Sequence, residues 1–458
     1  MTAHMTTAFV AKEMSDRGYR VIEGAVVPVT GGTADSRRVR PGDLFAAFQG
    51  EHTDGNLYVA DALANGAVAA ICQAPPGLVA PGKTVVVAPS TTIAAGQLAH
   101  AWRRECSPRV AGITGTVGKT TAKDLTAAAL SSRFSTHCSE GNLNSREGLP
   151  LALMSLRRDH EVSVLEMGMD SPGEIVELCE IAEPEAGVVL NIGLTHVSKL
   201  GSIEAIAAEK LSLARWLPPS GTAVLNVDDP LIAAAAAGLR SRTITFGASA
   251  SATLRRGEIE DLGLHGSRFP VSFAGDRATV RLRIPGVHVV PGALAALGVC
   301  IALGMSLKDS AASVESAETG GRVRVLLSDR GAIILDDRYN SSPASLAGAL
   351  RLLGRLDGRR IAFIGRMAEL GDYEEAEHRR AGAIAAETCD ILVAVGEQCR
   401  STVQEAKSAG LSDARWFAGK DEAAAAVRAL LRPGDQVLVK ASRGEAFETI
   451  LPVLEGRE

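Results

Sequence analysis

A glycine-rich segment at residues 110–121 contains residue types that bind phosphate groups. It reads V-A-G-I-T-G-T-V-G-K-T-T and joins a strand-like apolar run to a helix-like run. Backbone N–H groups in such a loop converge on phosphate oxygens, and the N-terminus of the following helix adds a favourable dipole. Lys119 is expected to meet the outer phosphates, and the Thr120 hydroxyl to hold a magnesium ion. The segment therefore predicts a binding site for a nucleoside triphosphate.

The glycine spacing of this loop departs from the common phosphate-binding loop. That loop has its first glycine five residues before the Gly-Lys pair, and the corresponding position here is Ile113. The glycines are instead Gly112, Gly115 and Gly118, three residues apart. The three-residue glycine spacing therefore indicates a subgroup of phosphate-binding loops that is distinct from the common type.

Two further segments supply candidate metal ligands. Glu166 ends a strand-like run, where α/β proteins place ligand-binding side chains, and a carboxylate there can bind magnesium. A helix-capping acid is the alternative interpretation. His196 follows the next strand-like run and could serve a second divalent ion, although an isolated histidine is more often packed or solvated. Lys210 lies fourteen residues later in a helix-like segment and, by residue type alone, is a solvated charge.

The elements that must position these residues form an α/β pattern. A chain of 458 residues predicts about three domains, which we place at 1–106, 107–318 and 319–458. In the second and third, buried strand-like runs alternate with helical stretches, which predicts parallel sheets covered by helices. Residues 240–285 alternate apolar and polar side chains, which favours an antiparallel, half-exposed flap.

Composition excludes several functional classes. Hydrophobic residues make up 46% and charged residues 22%, and the net charge of -5 argues against a nucleic-acid partner. The seven cysteines never form a C-x-x-C pair, which favours reduced thiols in the cytoplasm. No apolar run reaches the roughly 20 clean residues of a membrane span. We expect a cytoplasmic monomer without membrane insertion, since no signal for self-association stands out.

The motifs taken together resemble the Mur ligases, the muramyl-peptide ligases, from end to end. The glycine spacing of the phosphate loop is similar to that of this group, and D-D-x-Y-N and G-N-x-N favour its branch that adds D-alanyl-D-alanine. The further matching segments are 35–55 (D-S-R-R-V-R-P-G-D-L-F-A-A-F-Q-G-E-H-T-D-G), 141–153 (G-N-L-N-S-R-E-G-L-P-L-A-L), 191–196 (N-I-G-L-T-H), 201–210, 336–346 (D-D-R-Y-N-S-S-P-A-S-L), 367–371 (M-A-E-L-G) with His378 after it, and 437–443 (V-L-V-K-A-S-R).

The resemblance implies an N-terminal α/β domain that binds a UDP-sugar, a central P-loop ATPase-type parallel sheet, and a C-terminal Rossmann-like domain. It also implies ATP and Mg²⁺ as cofactors, with two ions and a carbamylated Lys210 as one ligand. The metal set is Thr120, Glu166, His196 and Lys210, and with Lys119 the last three form the catalytic set. The implied nucleotide site is Gly115, Thr116, Gly118, Lys119, Thr120, Thr121, Arg322, Asp337, Tyr339 and Asn340. The implied substrate site is Ser36, Arg37, Asp54, Asn142, Asn144, Lys440, Ser442 and Arg443.

The implied reaction is amide-bond formation through an acyl phosphate. A substrate carboxylate attacks the γ-phosphate of ATP, and an amine then displaces phosphate. The implied partners are small molecules: a UDP-sugar peptide or another carboxylate, and an amino acid or dipeptide amine. The last three residues of the substrate set lie where the family receives the incoming amine, and cations and a hydroxyl suit its free carboxylate.

Several positions depart from the family pattern. Val289 and Gly292 replace two asparagines, the first of which contacts adenine in the family. The other substitutions are Ser145 for an asparagine, Asn56 for a histidine, Arg366 for an aspartate and Ala441 for a glycine. Because they cluster at substrate-facing motifs while the phosphate and metal residues are intact, two alternatives stay open. One is a ligase with the same chemistry on another carboxylate and amine, and the other is a nucleotide-binding scaffold without catalysis.

Overall fold

The computed structural model describes residues 3–50, 53–75, 77, 79–195, 197–317 and 323–457, and of Ser198 only the backbone. Two predicted site residues, His196 and Arg322, lie outside the described residues. The chain contains three sheets that follow one another along the sequence, flanked by helices, together with one small two-stranded sheet. This arrangement agrees with the predicted α/β class.

The N-terminal unit has a five-stranded sheet. Its order is β2-β7-β6-β5-β4, with β4 to β7 parallel and β2 antiparallel at one edge; β1 and β3 form a separate pair. Its elements are β1 (Met5–Thr6), α1 (Thr7–Asp16), β2 (Arg20–Ile22), β3 (Pro28–Val29), β4 (Gly31–Thr33), β5 (Asp43–Ala46), α2 (Val59–Ala64), β6 (Ala69–Cys72), β7 (Thr84–Val87) and α3 (Thr91–Cys106).

The central unit has the largest sheet. Seven strands run parallel in the order β14-β13-β12-β11-β8-β10-β9, and β15 to β17 extend it antiparallel beyond β14. Its elements are β8 (Arg109–Thr114), α4 (Lys119–Leu130), β9 (Thr136–Cys138), α5 (Gly148–Leu153), β10 (Val162–Glu166), α6 (Glu174–Ala182), β11 (Ala186–Val189), α7 (Val197–Leu200), α8 (Ile203–Trp216), β12 (Thr222–Asn226), α9 (Pro230–Ala235), β13 (Arg242–Gly247), β14 (Leu254–Arg256), β15 (Glu260–Asp261), β16 (Ser267–Phe273), β17 (Asp276–Leu282), α10 (Val290–Ala302) and α11 (Leu307–Ser316).

The prediction of an antiparallel flap over 240–285 is partly wrong. Strands β13 and β14 continue the parallel sheet, and only β15, β16 and β17 are antiparallel. Ile244 and Phe246 of β13 are buried, whereas Thr243 before them and Thr245 between them are partly exposed. A parallel strand whose two faces are unequally buried therefore shows the same alternation as a half-exposed antiparallel strand.

The C-terminal unit has a six-stranded sheet in the order β18-β19-β23-β20-β21-β22, in which only β18 is antiparallel. Its elements are β18 (Arg324–Leu327), β19 (Ile333–Asp336), α12 (Pro343–Leu353), β20 (Arg360–Ile364), α13 (Glu374–Thr388), β21 (Ile391–Val395), α14 (Arg400–Ser408), β22 (Ala414–Phe417), α15 (Lys420–Leu430), β23 (Gln436–Lys440) and α16 (Leu451–Glu455).

Packing of small side chains fixes the central helices against the sheet. Helix α10 is Ala- and Gly-rich and buried along most of its length, and it packs against α4 and β13. At Gly298 an added Cβ would lie 2.5 Å from Val224 of β12, so the helix rests directly on the strand. This close contact holds the phosphate-loop helix α4 at the carboxyl ends of the parallel strands, where α/β proteins bind ligands.

Two sequence expectations concern the chain as a whole. All seven cysteines are free thiols, five of them buried. Among the described residues, no helix is both long enough and apolar enough to span a membrane.

Candidate active site

Hydrogen bonds with an asparagine just beyond the neighbouring strand β11 hold the phosphate loop in place. The loop backbone N–H groups of Thr116 and Val117 donate to the carbonyl and side-chain oxygens of Asn191 at 3.0 and 2.9 Å. The Asn191 amide donates back to the Val117 carbonyl at 2.9 Å. Gly118, with φ of +81°, precedes the first residue of helix α4. Asn191 therefore shapes the loop, a role that the sequence signalled only through its place in the N-I-G-L-T-H motif.

Two lysine ammonium groups meet at one carbonyl of this loop. Nζ of Lys119 and Nζ of Lys210 lie 2.8 and 3.2 Å from the Gly115 carbonyl oxygen. Lys210 is only 2% exposed. Burial, reinforced by the neighbouring Lys119 charge, lowers the pKa of Lys210 well below its ordinary value. The structure thus places Lys210 inside the site rather than on a solvated face.

Glu166 is buried beside the first turn of helix α4. Its Oε2 accepts a hydrogen bond from the Thr120 hydroxyl at 2.5 Å, and its Oε1 accepts one from the Asn144 amide at 2.7 Å. The Asn144 carbonyl also accepts from the backbone N–H of Gly168 at 2.7 Å. The predicted residues Thr120, Asn144 and Glu166 are therefore brought together, and Glu166 does not cap a helix.

Lys123, one turn beyond Lys119, was missed by sequence reasoning. It is 2% exposed, and its Nζ lies 2.5 Å from the Ser139 carbonyl and 2.9 Å from Asp124 Oδ1. The Ser139 hydroxyl in turn accepts from the backbone N–H of Glu166 at 3.3 Å. This lysine joins helix α4 to the segment that precedes Asn144. The only signal in the sequence is its spacing of four from Lys119, which places both on one helix face.

The C-terminal unit contributes a buried ion pair. Nζ of Lys440 lies 2.6 Å from Asp337 Oδ2 and 2.9 Å from the Asn340 carbonyl. Lys440 and Asp337 are both buried. The Ser442 hydroxyl accepts from the backbone N–H of Ala368 at 2.9 Å and donates to the Ser341 carbonyl at 3.2 Å. The ammonium of Lys440 and the hydroxyl of Ser442 are thus already partnered within the protein.

Arg443 is the exposed cation of the same segment. Its guanidinium lies 5.5 Å from the centre of the Tyr339 ring, and Nη1 is 3.4 Å from the Tyr339 hydroxyl. Of the three residues predicted to receive a free carboxylate, Arg443 is therefore the one whose charge is directed to the solvent.

Most of these groups line one cleft of about 730 Å³ between the central and C-terminal units, whereas Gly115, Thr120 and Lys123 are not on its lining. We call its two sides the central wall, which contains Lys119, Asn144, Glu166 and Lys210, and the C-terminal wall, which contains Asp337, Tyr339, Asn340, Glu369, Lys440, Ser442 and Arg443. The other predicted residues on the lining are Thr116, Gly118, Thr121 and Asn142. Predicted residues from both units therefore share one cleft.

The predicted uridine-site residues lie elsewhere, in the N-terminal unit. Asp35 holds the exposed Arg37 side chain in a bidentate pair at 2.9 Å. Asp54 accepts hydrogen bonds from the backbone and side chain of Asn56, and Ser36 is buried. None of these residues lines the cleft, and their role in binding a substrate stays a prediction.

The residues that depart from the family pattern have local partners. Val289 and Gly292 both line the cleft, and a Cβ added at Gly292 would make ordinary contact with Ala122 of helix α4. Asn56 donates to Asp54 and Gln73, and the Ser145 hydroxyl accepts from the backbone N–H of Gly148. Arg366 pairs with Glu374 at 2.5 Å. Ala441 is buried.

The donor chemistry of the central wall fits a magnesium ion. Among residues 3–50, 53–75, 77, 79–195, 197–317 and 323–457, no group of three or more His, Cys, Asp and Glu side chains could hold a metal. A carboxylate and a hydroxyl beside a phosphate loop suit Mg²⁺, which is bound by one or two carboxylates together with water and substrate phosphates.

Fold and cleft together define a nucleotide-binding enzyme with a P-loop central unit and a Rossmann-like C-terminal unit. Three family models match it in order: the Mur ligase family catalytic domain over 28–103, the Mur ligase middle domain over 113–300, and the Mur ligase glutamate ligase domain over 321–443. Together with relatives more than 30% identical over nearly the whole chain, these matches show that the chain belongs to the Mur ligase family.

The similarity between this chain and its relatives extends over almost the whole length of each. The chain is 33% identical to UDP-N-acetylmuramoyl-tripeptide–D-alanyl-D-alanine ligase of Synechocystis, over 92% of this chain and 90% of that protein. It is 31% identical to the ligase of the same name from Escherichia coli, over 95% of each. Among solved structures, MurF from Acinetobacter baumannii has a TM-score of 0.85 at 28% identity, with 99% of this chain and 100% of that one covered. MurF from Thermotoga maritima in complex with ADP has a TM-score of 0.79 at 26% identity, with 94% and 98% covered. The predicted family and fold class are confirmed.

Proposed function

We propose that this chain uses ATP to join D-alanyl-D-alanine to UDP-N-acetylmuramoyl-tripeptide, a step in the synthesis of peptidoglycan precursors. The observation that carries the proposal is the central wall. A buried carboxylate, Glu166, touches the Thr120 hydroxyl at the start of the phosphate-loop helix, and two lysines converge on Gly115 next to it. This arrangement suits the activation of a carboxylate by a nucleoside triphosphate.

The metal assignment belongs to the same proposal. Thr120, Glu166 and a carbamylated Lys210 would hold magnesium, with His196 as a further ligand that lies outside the described residues. When bound, the metal neutralises charge that develops on the phosphates. Carbon dioxide reacts with an unprotonated amine, which becomes a carbamate anion and loses one proton. Burial of Lys210 and its lowered pKa favour the unprotonated amine that this reaction requires.

The chemistry then proceeds in two displacements. An oxygen of the tripeptide carboxylate bonds to the γ-phosphorus, and ADP leaves with the electron pair of the broken P–O bond. The neutral amine nitrogen next bonds to the carbonyl carbon of the acyl phosphate and gives up one proton, and inorganic phosphate leaves with the electron pair of the broken C–O bond. In this proposal the ammonium of Lys119 neutralises the outer phosphates, while the two walls of the cleft exclude water that would hydrolyse the acyl phosphate.

Three further assignments complete the proposal. Asp337, Tyr339 and Asn340 line the nucleotide side of the C-terminal wall, with Arg322 outside the described residues. The N-terminal residues Ser36, Arg37 and Asp54 bind the uridine diphosphate end. We also place the protein in the cytoplasm, since free thiols suit a reducing compartment, and we expect it to be a monomer.

Release of phosphate from ATP tests the function directly. We expect release only when both UDP-N-acetylmuramoyl-tripeptide and D-alanyl-D-alanine are present, with the pentapeptide product detected by mass spectrometry. If no phosphate is released with this pair, but another carboxylate and amine do cause release, the protein is a ligase that acts on different substrates. Nucleotide binding without phosphate release on any pair would support the scaffold alternative and contradict the proposal.

A further inference from the structure

The backbone just beyond strand β11 lies directly against the phosphate loop. We call residues 190–193 the support segment. Besides the asparagine bonds described above, the backbone N–H of Gly193 donates to the Thr116 hydroxyl at 2.9 Å, and that hydroxyl donates to the Gly193 carbonyl at 3.2 Å. A Cβ added at Gly115 would lie 2.8 Å from Cβ of Leu190. The position of the support segment therefore sets the position of the loop.

The support segment begins where the pairing of β11 with β12 ends. The last residues in the parallel register of these two strands are Val189 and Leu225. Leu190, which follows, is buried. Because a buried backbone carbonyl or N–H group needs a hydrogen-bond partner, the groups beyond this point must find partners other than the backbone of β12.

Two side chains at the end of β12 supply these partners. The amide of Asn226 donates to the Leu190 carbonyl at 2.8 Å. The carboxylate of Asp229 accepts from the backbone N–H of Ile192 through Oδ2, also at 2.8 Å. Leu190 and Ile192 are the chain neighbours of Asn191, the residue that holds the phosphate loop. The backbone is therefore fastened on both sides of that residue.

The two side chains are themselves fixed. Asn226 is buried, and its Oδ1 accepts from the backbone N–H of Asp228 at 3.1 Å. Oδ1 of Asp229 accepts from the backbone N–H groups of Leu231 and Ile232 at 3.0 and 3.4 Å, at the start of helix α9. The carboxylate thus caps a helix with one oxygen and holds the support segment with the other. Neither side chain lines the cleft, so neither touches a ligand bound there.

We propose that Asn226 and Asp229 are positioning residues, which hold the phosphate loop in its nucleotide-binding shape through the support segment. The inference rests on the proposed function, since it assigns the loop to a nucleotide. A loop that is already ordered binds its ligand with little further loss of conformational freedom. When one of these side chains is removed, the ordering has to occur during nucleotide binding. The affinity for nucleotide then falls, while the amine site on the C-terminal wall is unaffected.

The variant Asp229→Ser separates this role from the helix cap. A serine hydroxyl is as good an N-cap as a carboxylate, but its one oxygen, once it caps α9, is not available to Ile192. We expect the Kd for ADP with Mg²⁺, measured by titration calorimetry, to rise about 3- to 10-fold, the equivalent of about one hydrogen bond.

The kinetics of the same variant distinguish positioning of the loop from general damage to the fold. The KM for ATP should rise with the Kd, while kcat at saturating ATP stays within about twofold because the bound loop regains its shape. The KM for D-alanyl-D-alanine should also stay within about twofold, and Tm within about 2 °C.

Ser90→Asp is the matched control. It exchanges the same two types of cap residue at the start of helix α3, where the Ser90 hydroxyl accepts from the backbone N–H of Ile93. Ser90 does not line the cleft. This variant should leave both the Kd for ADP and Tm unchanged.

A double substitution tests whether Asp229 acts through Asn191. Asn191→Ala removes the side-chain bonds to Val117 and should weaken ADP binding by itself. In that background Asp229→Ser should raise the Kd by a smaller factor than in the wild type, because bonds that transmit its effect are gone.

Three results overturn the inference: an unchanged Kd for ADP in Asp229→Ser, an equal factor in both backgrounds, or a KM for the dipeptide that rises as much as that for ATP. A wild-type protein that does not bind ADP with Mg²⁺ would instead overturn the proposed function, and with it this inference.

Discussion

The two walls of the cleft are built by different means. On the central wall, the phosphate loop, Thr120 and Lys119 come from one strand–loop–helix segment, and Glu166 ends a strand in direct register with it. On the C-terminal wall, the decisive contacts join distant parts of the chain: Lys440 and Asp337 are 103 positions apart. One segment therefore supplies the phosphate-binding part of the central wall, to which contacts over 46 and 95 positions add Glu166 and Lys210, whereas on the C-terminal wall long-range pairing decides which charges are available.

This difference matters for function. Activation of a carboxylate by ATP needs a fixed array of phosphate-binding groups, which a local segment can supply. In the proposed function the amine binds at the C-terminal wall, where hydrogen bonds of Ser442 with Ala368 and Arg366 fasten two separate segments to each other. Substitutions on the central wall should thus affect chemistry, and those on the C-terminal wall should affect either amine binding or folding.

The largest effect is expected at the phosphate loop. Lys119→Met removes the ammonium beside Gly115 and should lower kcat by about 10³-fold, the scale at which a positioned charge stabilises a transition state. Phosphate release under saturating substrates measures it. Lys12→Met, at an exposed lysine of helix α1, is the control and should leave kcat unchanged. A loss below tenfold would show that the loop does not grip the reacting phosphates.

Two substitutions on the C-terminal wall should separate an effect on stability from an effect on substrate binding. Lys440→Met leaves the carboxylate of Asp337 buried and unpaired, and breaking a buried pair costs about 3–5 kcal/mol of unfolding free energy. Arg443→Met, at an exposed residue, should leave Tm unchanged and raise the KM for the dipeptide. Urea unfolding and steady-state kinetics check both.

A double substitution sharpens this separation. In Lys440→Met with Asp337→Asn, no unpaired charge is buried, so most of the lost stability should return. If Lys440→Met instead folds normally and only the KM for the dipeptide rises, Lys440 binds the substrate carboxylate and the division between the two walls is wrong.

The next largest effect on activity is expected at Lys210 on the central wall. Lys210→Ala should lower activity about 100-fold, a size typical of the loss of a group that supports a metal site. Formate or acetate should restore part of the activity by supplying the missing carboxylate. Glu375→Ala, at an exposed glutamate of helix α13 that does not line the cleft, should show no response to formate. Activity of Lys210→Ala equal to wild type would remove this lysine from the site.

The smallest expected effect is the pH dependence of the unfolding free energy that arises from the buried histidine His137. His137 is buried, and because its Nε2 faces the Ala152 carbonyl, that nitrogen carries the proton and Nδ1 accepts from Ser163. Burial lowers the pKa of His137 from 6.5 to about 3. Between these values the unfolded chain binds a proton that the folded protein does not, so stability falls as pH falls.

The expected loss from this group between pH 6.5 and 5 is about 2 kcal/mol. Urea unfolding at the two pH values measures it, and His137→Gln should reduce the difference by about that amount. An identical pH dependence in wild type and variant would show that His137 titrates normally in the folded protein.

The sequence predicted the central wall better than the C-terminal wall for physical reasons. Lys119 is held by hydrogen bonds to the carbonyls of Gly115 and Thr116, four and three residues away, and the strand-like runs before the phosphate loop and before Glu166 are β8 and β10. Composition does not reveal that Asp337 neutralises Lys440, because that contact depends on β19 and β23 lying side by side. The parallel course of β13 was also hidden, since alternation of exposed and buried residues has two structural causes.

Transfer of an isotope tests the central claim most directly. With ¹⁸O in the terminal carboxylate of the UDP-linked tripeptide, an acyl phosphate intermediate must pass one labelled oxygen to the released phosphate. We expect phosphate with a single ¹⁸O atom, formed in proportion to the pentapeptide product. Phosphate without label, released alongside the pentapeptide, would contradict activation of the carboxylate at the phosphate loop.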